Sequence, residues 1–264
     1  MEKIKELRNK TGVGIVDCQK ALEESGGDIN QAIEILRKKG IAKAAKRSER
    51  EANEGLILVE VNKESTEGYI LKVNSETDFV ARNEKFQEFA KKVFQLVKNN
   101  RPDNLDDLMK MSADNSTVQE SLDNLSGVIG EKLGINKFDI ITGAAVGAYS
   151  HLGGRIGVLL ALDKEGEREL AMNMAMQVAA ANPKYIKPED VPAEETDKEK
   201  EIYRAQLLKE NKPENIMDKI IEGKLNKYYE EVCLIEQEYI KDDKKKVKDI
   251  LGEIKAEKFI RYSL

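Results

Sequence analysis

Tryptophan is absent from this sequence, histidine occurs once (His151) and cysteine twice, as Cys18 and Cys233. Two cysteines so far apart exclude a disulfide scaffold and suit a reducing compartment. With a single histidine beside them, they are too few for a His/Cys metal site. Neither a metal nor a cofactor is expected. Aromatic residues are 5% of the chain, which leaves little for stacking on bases. No run approaches the ~20 apolar residues of a membrane helix. The opening Met1-Glu2-Lys3-Ile4 lacks the apolar stretch of a secretory signal. Neither a G-x-S-x-G elbow nor a Walker A loop occurs. Gly153-Gly154-Arg155-Ile156-Gly157 imitates a phosphate loop, but it precedes a strand pattern where a phosphate loop should precede a helix. These absences point to a binding protein rather than an enzyme.

Charge is what the chain has in quantity. Of 264 residues, 35% are charged and 40% hydrophobic, with a net charge of −5. That balance argues against a nucleic-acid coat, but the charge is uneven. Residues 1–52 carry 12 Lys/Arg against 9 Asp/Glu, and the remainder 32 against 40. The excess comes from Arg37 to Arg50, which holds seven basic residues and one Glu. A solvated linker is one reading of this stretch; contact with RNA or an acidic protein is the other.

The first fifty residues predict three short helices. Ile4 and Leu7 mark the first, which ends at Thr11-Gly12. Asp17 is a candidate cap for the second, with Cys18, Ala21 and Leu22 on its packed side. Asp28 caps the third, with Gln31 three residues on and Gly40 as its stop. From Gly55 the period becomes strand-like, through Leu58 and Glu60, then Tyr69 to Val73 after a turn: a hairpin. Asn83 precedes a helix with Phe86, Phe89, Ala90, Val93, Phe94 and Val97 on one side. Residues 101–139 are expected to be helical with breaks. Strand, turn, strand and helix then recur over residues 143–181. Two hairpins, each covered by helices, make the fold class α+β. Beyond Pro183, two long charged helices read as an antiparallel hairpin, with one stripe at Ile202, Ala205 and Leu208 and another at Ile216, Ile220, Leu225 and Tyr228. Lys244 to Lys246 reads as a turn, and Lys258 to Leu264 as a final strand.

The segment Glu76-Thr77-Asp78-Phe79-Val80-Ala81-Arg82-Asn83 stands out, because it places a large aromatic beside a carboxylate in a loop. Phe79 either tucks into the core while Asp78 caps the next helix, or protrudes as a wedge for a partner's pocket. His151 is an ordinary turn residue or a partner contact.

Residues 77–83, TDFVARN, closely resemble the signature of the elongation factor Ts family, the nucleotide-exchange factors of elongation factor Tu. Similar stretches lie in register along nearly the whole chain: Lys5-Glu6-Leu7-Arg8, Thr11-Gly12-Val13-Gly14, Asp17 to Leu22, Gly27-Asp28-Ile29, Gly154 to Leu159, and Met176 to Pro188. Gln237-Glu238-Tyr239 departs from the family's common Gln-Pro-Phe. The resemblance implies a ubiquitin-associated-like three-helix domain with its basic linker at 1–52. It implies one core subdomain at 53–139 and a second at 140–182 plus 231–264. It also implies a helical hairpin at 183–230, which mediates homodimerisation in some members. The implied partner is elongation factor Tu, GDP-bound or nucleotide-free, with no membrane and no direct nucleic-acid contact. The implied setting is the bacterial cytoplasm or an organelle matrix. By the same resemblance Thr77, Asp78, Phe79 and Val80 dislodge the partner's magnesium ion, and Val13, Ile15, Val16, Arg82, Asn83 and His151 make further contacts. Two other classes stay open: a protein-interaction adaptor and an RNA-binding protein, neither with exchange activity.

Overall fold

In a computed structural model of the chain, the described residues are 1–47, 49–113 and 116–264, and the side chains at 41, 43 and 45 are outside that set. Ser48 and the Lys43 side chain, both in the basic stretch, therefore lie outside the described residues.

Three helices open the chain: α1 (Glu2–Thr11), α2 (Ile15–Glu24) and α3 (Ile29–Ala45). Leu7, Cys18, Ala21, Leu22, Ala32 and Leu36 close a small core between them. Helix α1 ends at Gly12 in the left-handed region, and Asp28 Oδ1 accepts the N–H groups of Asn30 and Gln31 at the start of α3. Two sequence expectations fail here. Asp17 lies in the first turn of α2 and Gly14 holds the cap position. Gly40 does not stop α3, which continues to Ala45. The glycine serves packing instead. A Cβ at Gly127 of the helix Val118–Ile129 would lie 2.7 Å from Gly40 Cα, so the two helices cross at backbone contact. Arg37 reaches Glu120 at 2.6 Å, and Arg47 donates to the carbonyl of Ser126 at 3.1 Å. Much of the basic stretch read as a solvated linker is thus the end of α3, docked on the core.

The first core unit runs β1 (Glu54–Val61), β2 (Glu67–Ser75), α4 (Asp78–Ala81), α5 (Glu84–Asn100), α6 (Leu105–Lys110), the short pair β3 (Ser112–Ala113) and β4 (Ser116–Thr117), α7 (Val118–Ile129) and β5 (Leu133–Thr142). Its sheet has the order β1-β2-β5, antiparallel throughout. Strand β5 corrects the expectation that 101–139 is helical. Its alternation is hidden by a bulge: Lys72 pairs with Lys137 but Val73 with Ile135, so Asn136 is extra. Leu133 and Ile135 join the helix-side core before it, and Phe138 and Ile140 after it.

The second unit runs β6 (Ala145–His151), β7 (Ile156–Leu162), α8 (Arg168–Ala181), α9 (Ala193–Lys209), α10 (Glu214–Val232), β8 (Glu238–Tyr239), β9 (Asp242–Lys246), α11 (Val247–Leu251) and β10 (Ala256–Ser263). Its sheet has the order β10-β7-β6. Lys244 to Lys246 belong to β9, not to a turn; the turn falls at Ile240-Lys241 between paired Tyr239 and Asp242. The class is α+β.

The two sheets pack face to face. Ile57, Ile70 and Ile141 of the first meet Val146, Leu159, Ala161 and Tyr262 of the second. Gly157 allows the approach, since a Cβ there would come 2.5 Å from Ile57 Cγ2. Outer faces are covered by helices: Tyr69, Leu71 and Val73 pack with Phe86, Val93 and Leu122, and Val158, Leu160 and Leu162 with Ala171, Met174 and Val178. Central strands covered on both sides read as nearly continuous apolar runs, as Ile156–Leu162 does.

Helices α9 and α10 form the expected hairpin, and Ile220 and Leu225 of the expected α10 stripe lie in its seam, but the α9 side of the seam lies elsewhere. Leu207, Met217, Ile221 and Leu225 are buried with Tyr203, Ile220 and Tyr229 packed around them. Ile202, Leu208 and Ile216 are exposed. Dense charge on every face obscures a stripe this narrow. At its base, Tyr185 and Tyr228 both donate to the carboxylate of Glu195, which holds that carboxyl below its ordinary range. Among the described residues, no helix is long and apolar enough to cross a membrane.

The seam assignment is directly testable. Leu207→Ala should destabilise the hairpin by ~2–5 kcal/mol, and Leu208→Ala by less than ~0.5 kcal/mol. Amide hydrogen exchange in α9 and α10 reads the difference; equal effects would reject the assignment.

Candidate partner-binding site

Strand β2 ends at Ser75, and within two residues the chain enters α4. Four residues cannot sustain a helix by themselves, because nucleation is costly. Contacts at both ends hold it. Thr77 Oγ1 accepts the Val80 N–H at 3.4 Å, and Ser75 Oγ donates to the Thr77 carbonyl at 2.9 Å. At the far end Asn83 N–H donates to the Val80 carbonyl at 2.9 Å. Asn83 Oδ1 then accepts the Lys85 N–H at 3.0 Å, which starts α5.

The turn between α7 and β5 braces this loop from below. Glu131 Oε1 accepts the Thr77 hydroxyl at 2.7 Å, and Oε2 accepts the Thr77 N–H at 3.0 Å. Lys132 N–H donates to Glu76 Oε1 at 2.5 Å. Arg50, just past α3, reaches the same Glu76 carboxylate at 3.2 Å, and Lys132 Nζ donates to the Arg50 carbonyl at 2.7 Å. The Lys132 amide, with help from Arg50, holds the Glu76 carboxyl below the usual range.

Within α4 the side chains part. Val80 points inward and joins the core of the first sheet. Phe79 is 81% exposed. The alternative in which Phe79 tucks into the core is therefore overturned. So is the idea that Asp78 caps the next helix, since Thr77 and Asn83 do the capping. Asp78 instead accepts from Arg82 at 2.7 Å, one helical turn on.

A second loop lies beside this one. The turn from His151 to Arg155 joins β6 to β7, and the Gly154 carbonyl accepts the Ile57 N–H of β1 at 2.8 Å. Arg155 grips Glu54 through both guanidinium ends, at 2.6 and 3.2 Å. That bond lowers the Glu54 carboxyl, with a smaller pull from Arg82. It raises the Arg155 guanidinium, with a smaller push from Asp78. Glu54, Asp78, Arg82 and Arg155 thus form one charged cluster around α4. Leu152 is exposed at the turn. His151 is exposed too, with Nδ1 3.1 Å from Tyr149 Oη and its ring stacked on that tyrosine.

Thr77, Asp78, Phe79, Val80, Arg82, Asn83 and the His151 turn therefore share one region. Val13, Ile15 and Val16 sit on the helical bundle, where Val13 packs on the bundle core while Ile15 and Val16 are exposed. Sequence reasoning took in Glu76 with its segment but did not single out Glu54, Glu131 or Lys132. Glu131 lies 54 positions from Thr77, and no local pattern signals such a pairing. The basic stretch turns many of its charges inward or onto neighbours: besides Arg37, Arg47 and Arg50, Lys39 pairs with Glu24 at 2.5 Å.

The opposed orientations of neighbours predict opposed stability effects. Val80→Ala should lower stability by ~1–2 kcal/mol, whereas Phe79→Ala should change it by less than ~0.5 kcal/mol. Thermal melts of the two variants check this, and a matching loss for Phe79→Ala would contradict the exposed placement.

A family model described as elongation factor TS matches residues 76–264.

Proposed function

The chain belongs to the elongation factor Ts family and is a translation elongation factor; from that premise we propose that it binds elongation factor Tu·GDP and drives GDP release, with Asp78 and Phe79 as the wedge. The observation that carries this reading is Phe79. A large aromatic held out of the core on a short, braced helix is a ready anchor for a partner's pocket.

No covalent chemistry is required. Factor and nucleotide bind the same GTPase, and each weakens the other by an equal factor. The factor must therefore grip the nucleotide-free state better than the GDP-bound state. A wedge achieves this if its pocket forms only when the magnesium and phosphate sites are deformed. Phe79 supplies the apolar anchor and Asp78 a negative charge that competes for groups around the ion. Val80 anchors the wedge to the core, and Thr77 shapes it. Arg82, Asn83 and His151 flank it, and Val13, Ile15 and Val16 offer the bundle's own contact with the GTPase. The helical hairpin is the proposed homodimerisation element, with Ile202, Leu208 and Ile216 as its exposed apolar residues. Translation in the bacterial cytoplasm or an organelle matrix is the setting where such a partner occurs.

Burying a phenylalanine is worth ~1.5–3 kcal/mol, and each ~1.4 kcal/mol is tenfold in an equilibrium constant. Phe79→Ala should therefore slow catalysed GDP release by about one to two orders of magnitude. Stopped-flow release of labelled GDP from elongation factor Tu measures it; a wild-type rate from the folded variant would reject the wedge. Asp78→Ala should slow release chiefly when magnesium is present. An effect of equal size after chelation of the ion would show that Asp78 acts elsewhere.

A further inference from the structure

Glu131 has no part in any motif of the sequence, yet it takes both protons that Thr77 can offer. The consequence is one of polarity. A threonine hydroxyl has one proton and two lone pairs, and a carboxylate only accepts. Once Glu131 Oε1 holds the hydroxyl proton at 2.7 Å, Thr77 Oγ1 can turn only lone pairs towards other groups. It is then committed to accepting from the Val80 N–H, the bond that starts α4. Glu131 Oε2 meanwhile fixes the Thr77 backbone through its N–H at 3.0 Å. Hydrogen bonds to a charged acceptor are shorter and stronger than neutral ones. The brace itself is rigid. Gly130 caps α7, Ser126 Oγ donates to the Glu131 carbonyl at 2.6 Å, and the next residue's N–H holds Glu76.

We propose that Glu131 is a positioning residue for nucleotide exchange, which fixes Thr77 and so aims Phe79. This rests on residues 77–80 being the exchange wedge. A loop already fixed in its inserted geometry loses less entropy on insertion. Without Glu131, α4 would form only part of the time, and the exposed Phe79 would sample many directions.

The test uses the full chain and three variants: Glu131→Ala, Phe79→Ala and the pair combined. Catalysed GDP release from elongation factor Tu should slow by about tenfold in Glu131→Ala. In the Phe79→Ala background the same change should cost less than about a further twofold, because two residues that act through one element are not additive. A full tenfold loss in both backgrounds would overturn the proposal, since Glu131 would then act on the partner by its own contact. The second readout needs no partner. Thr77 and Val80 amides should exchange with solvent about tenfold faster in Glu131→Ala, while that of Val93 in α5 keeps its wild-type rate. Unchanged exchange at Thr77 and Val80 would also overturn it. If the wild-type chain fails to accelerate GDP release, the functional reading falls and the amide rates still decide whether Glu131 fixes this loop. Should Glu131→Ala not fold, Glu131→Gln leaves a single acceptor oxygen for the two Thr77 protons while keeping the Thr77 hydroxyl, and the same faster exchange is expected at Thr77.

Discussion

The molecule depends on one apolar contact between two sheets. Ile57, Ile70 and Ile141 meet Val146, Leu159, Ala161 and Tyr262 at the centre, and each sheet is then sealed outside by its own helices. Each three-stranded sheet has a helix-side core of its own, and the inner faces of the two share a third between them. Two polar ties cross the same boundary. Tyr262 donates to the Asp139 carboxylate, and Lys72 Nζ donates to the Ser263 carbonyl at 2.6 Å. Burial, with the Asp139 bond behind it, pushes the Tyr262 phenol up and keeps its proton in place. The contact also brings the loops of the two units together. Strand β1 belongs to one sheet and the β6–β7 turn to the other, yet Ile57 bonds to Gly154 and Glu54 to Arg155. Residues distant in sequence thereby share the region around Phe79.

Much of this was legible in the sequence, and the failures have physical causes. Helix α5 announced itself because six apolar residues at helical spacing face a single core. Hairpin β1–β2 did so through its turn residues. Strand β5 was missed because the bulge at Asn136 shifts its inward set by one residue. Gly40 was misread because glycine is equally suited to ending a helix and to letting one cross another. Only the partner at Gly127 distinguishes the two, and that partner is 87 positions away in the sequence. On α9 the seam of the hairpin was misplaced by one residue, Leu208 for Leu207, while Ile220 and Leu225 on α10 were read correctly. In a helix that is charged almost all round, one step moves a side chain by about 100°. At the candidate site, the peculiarity of a phenylalanine beside an aspartate was visible. Its exposure was not, because that depends on Val80 filling the inward position.

Helix α4 shows how a small structural element acquires a fixed direction. Val80 is held by the core, Thr77 by the α7–β5 turn and Asn83 by the first turn of α5. Three anchors on three different elements leave the intervening Phe79 little freedom of backbone, while its ring stays exposed. The exchange role proposed for it would demand this arrangement, since only interactions that differ between two states of a partner can shift it from one to the other. A floppy aromatic would bind many surfaces weakly; a fixed one selects a pocket of matching shape.

The docking of α3 has a consequence for what a distant molecule feels. Counted along the sequence, the first 52 residues are a basic segment. In the folded chain several of those cations sit against acids at 2.5–3.2 Å: Lys39 on Glu24, Arg37 on Glu120, Arg50 on Glu76. Beyond the ~10 Å over which 0.1 M salt screens a charge, each such pair is only a dipole. The long-range field is therefore more nearly that of the whole chain, with its net −5, than that of a basic arm. At that range the paired cations of the stretch add little to the pull on a charged molecule. A partner that docks here must be attracted by surface close at hand, so shape and apolar contact govern the encounter more than charge does.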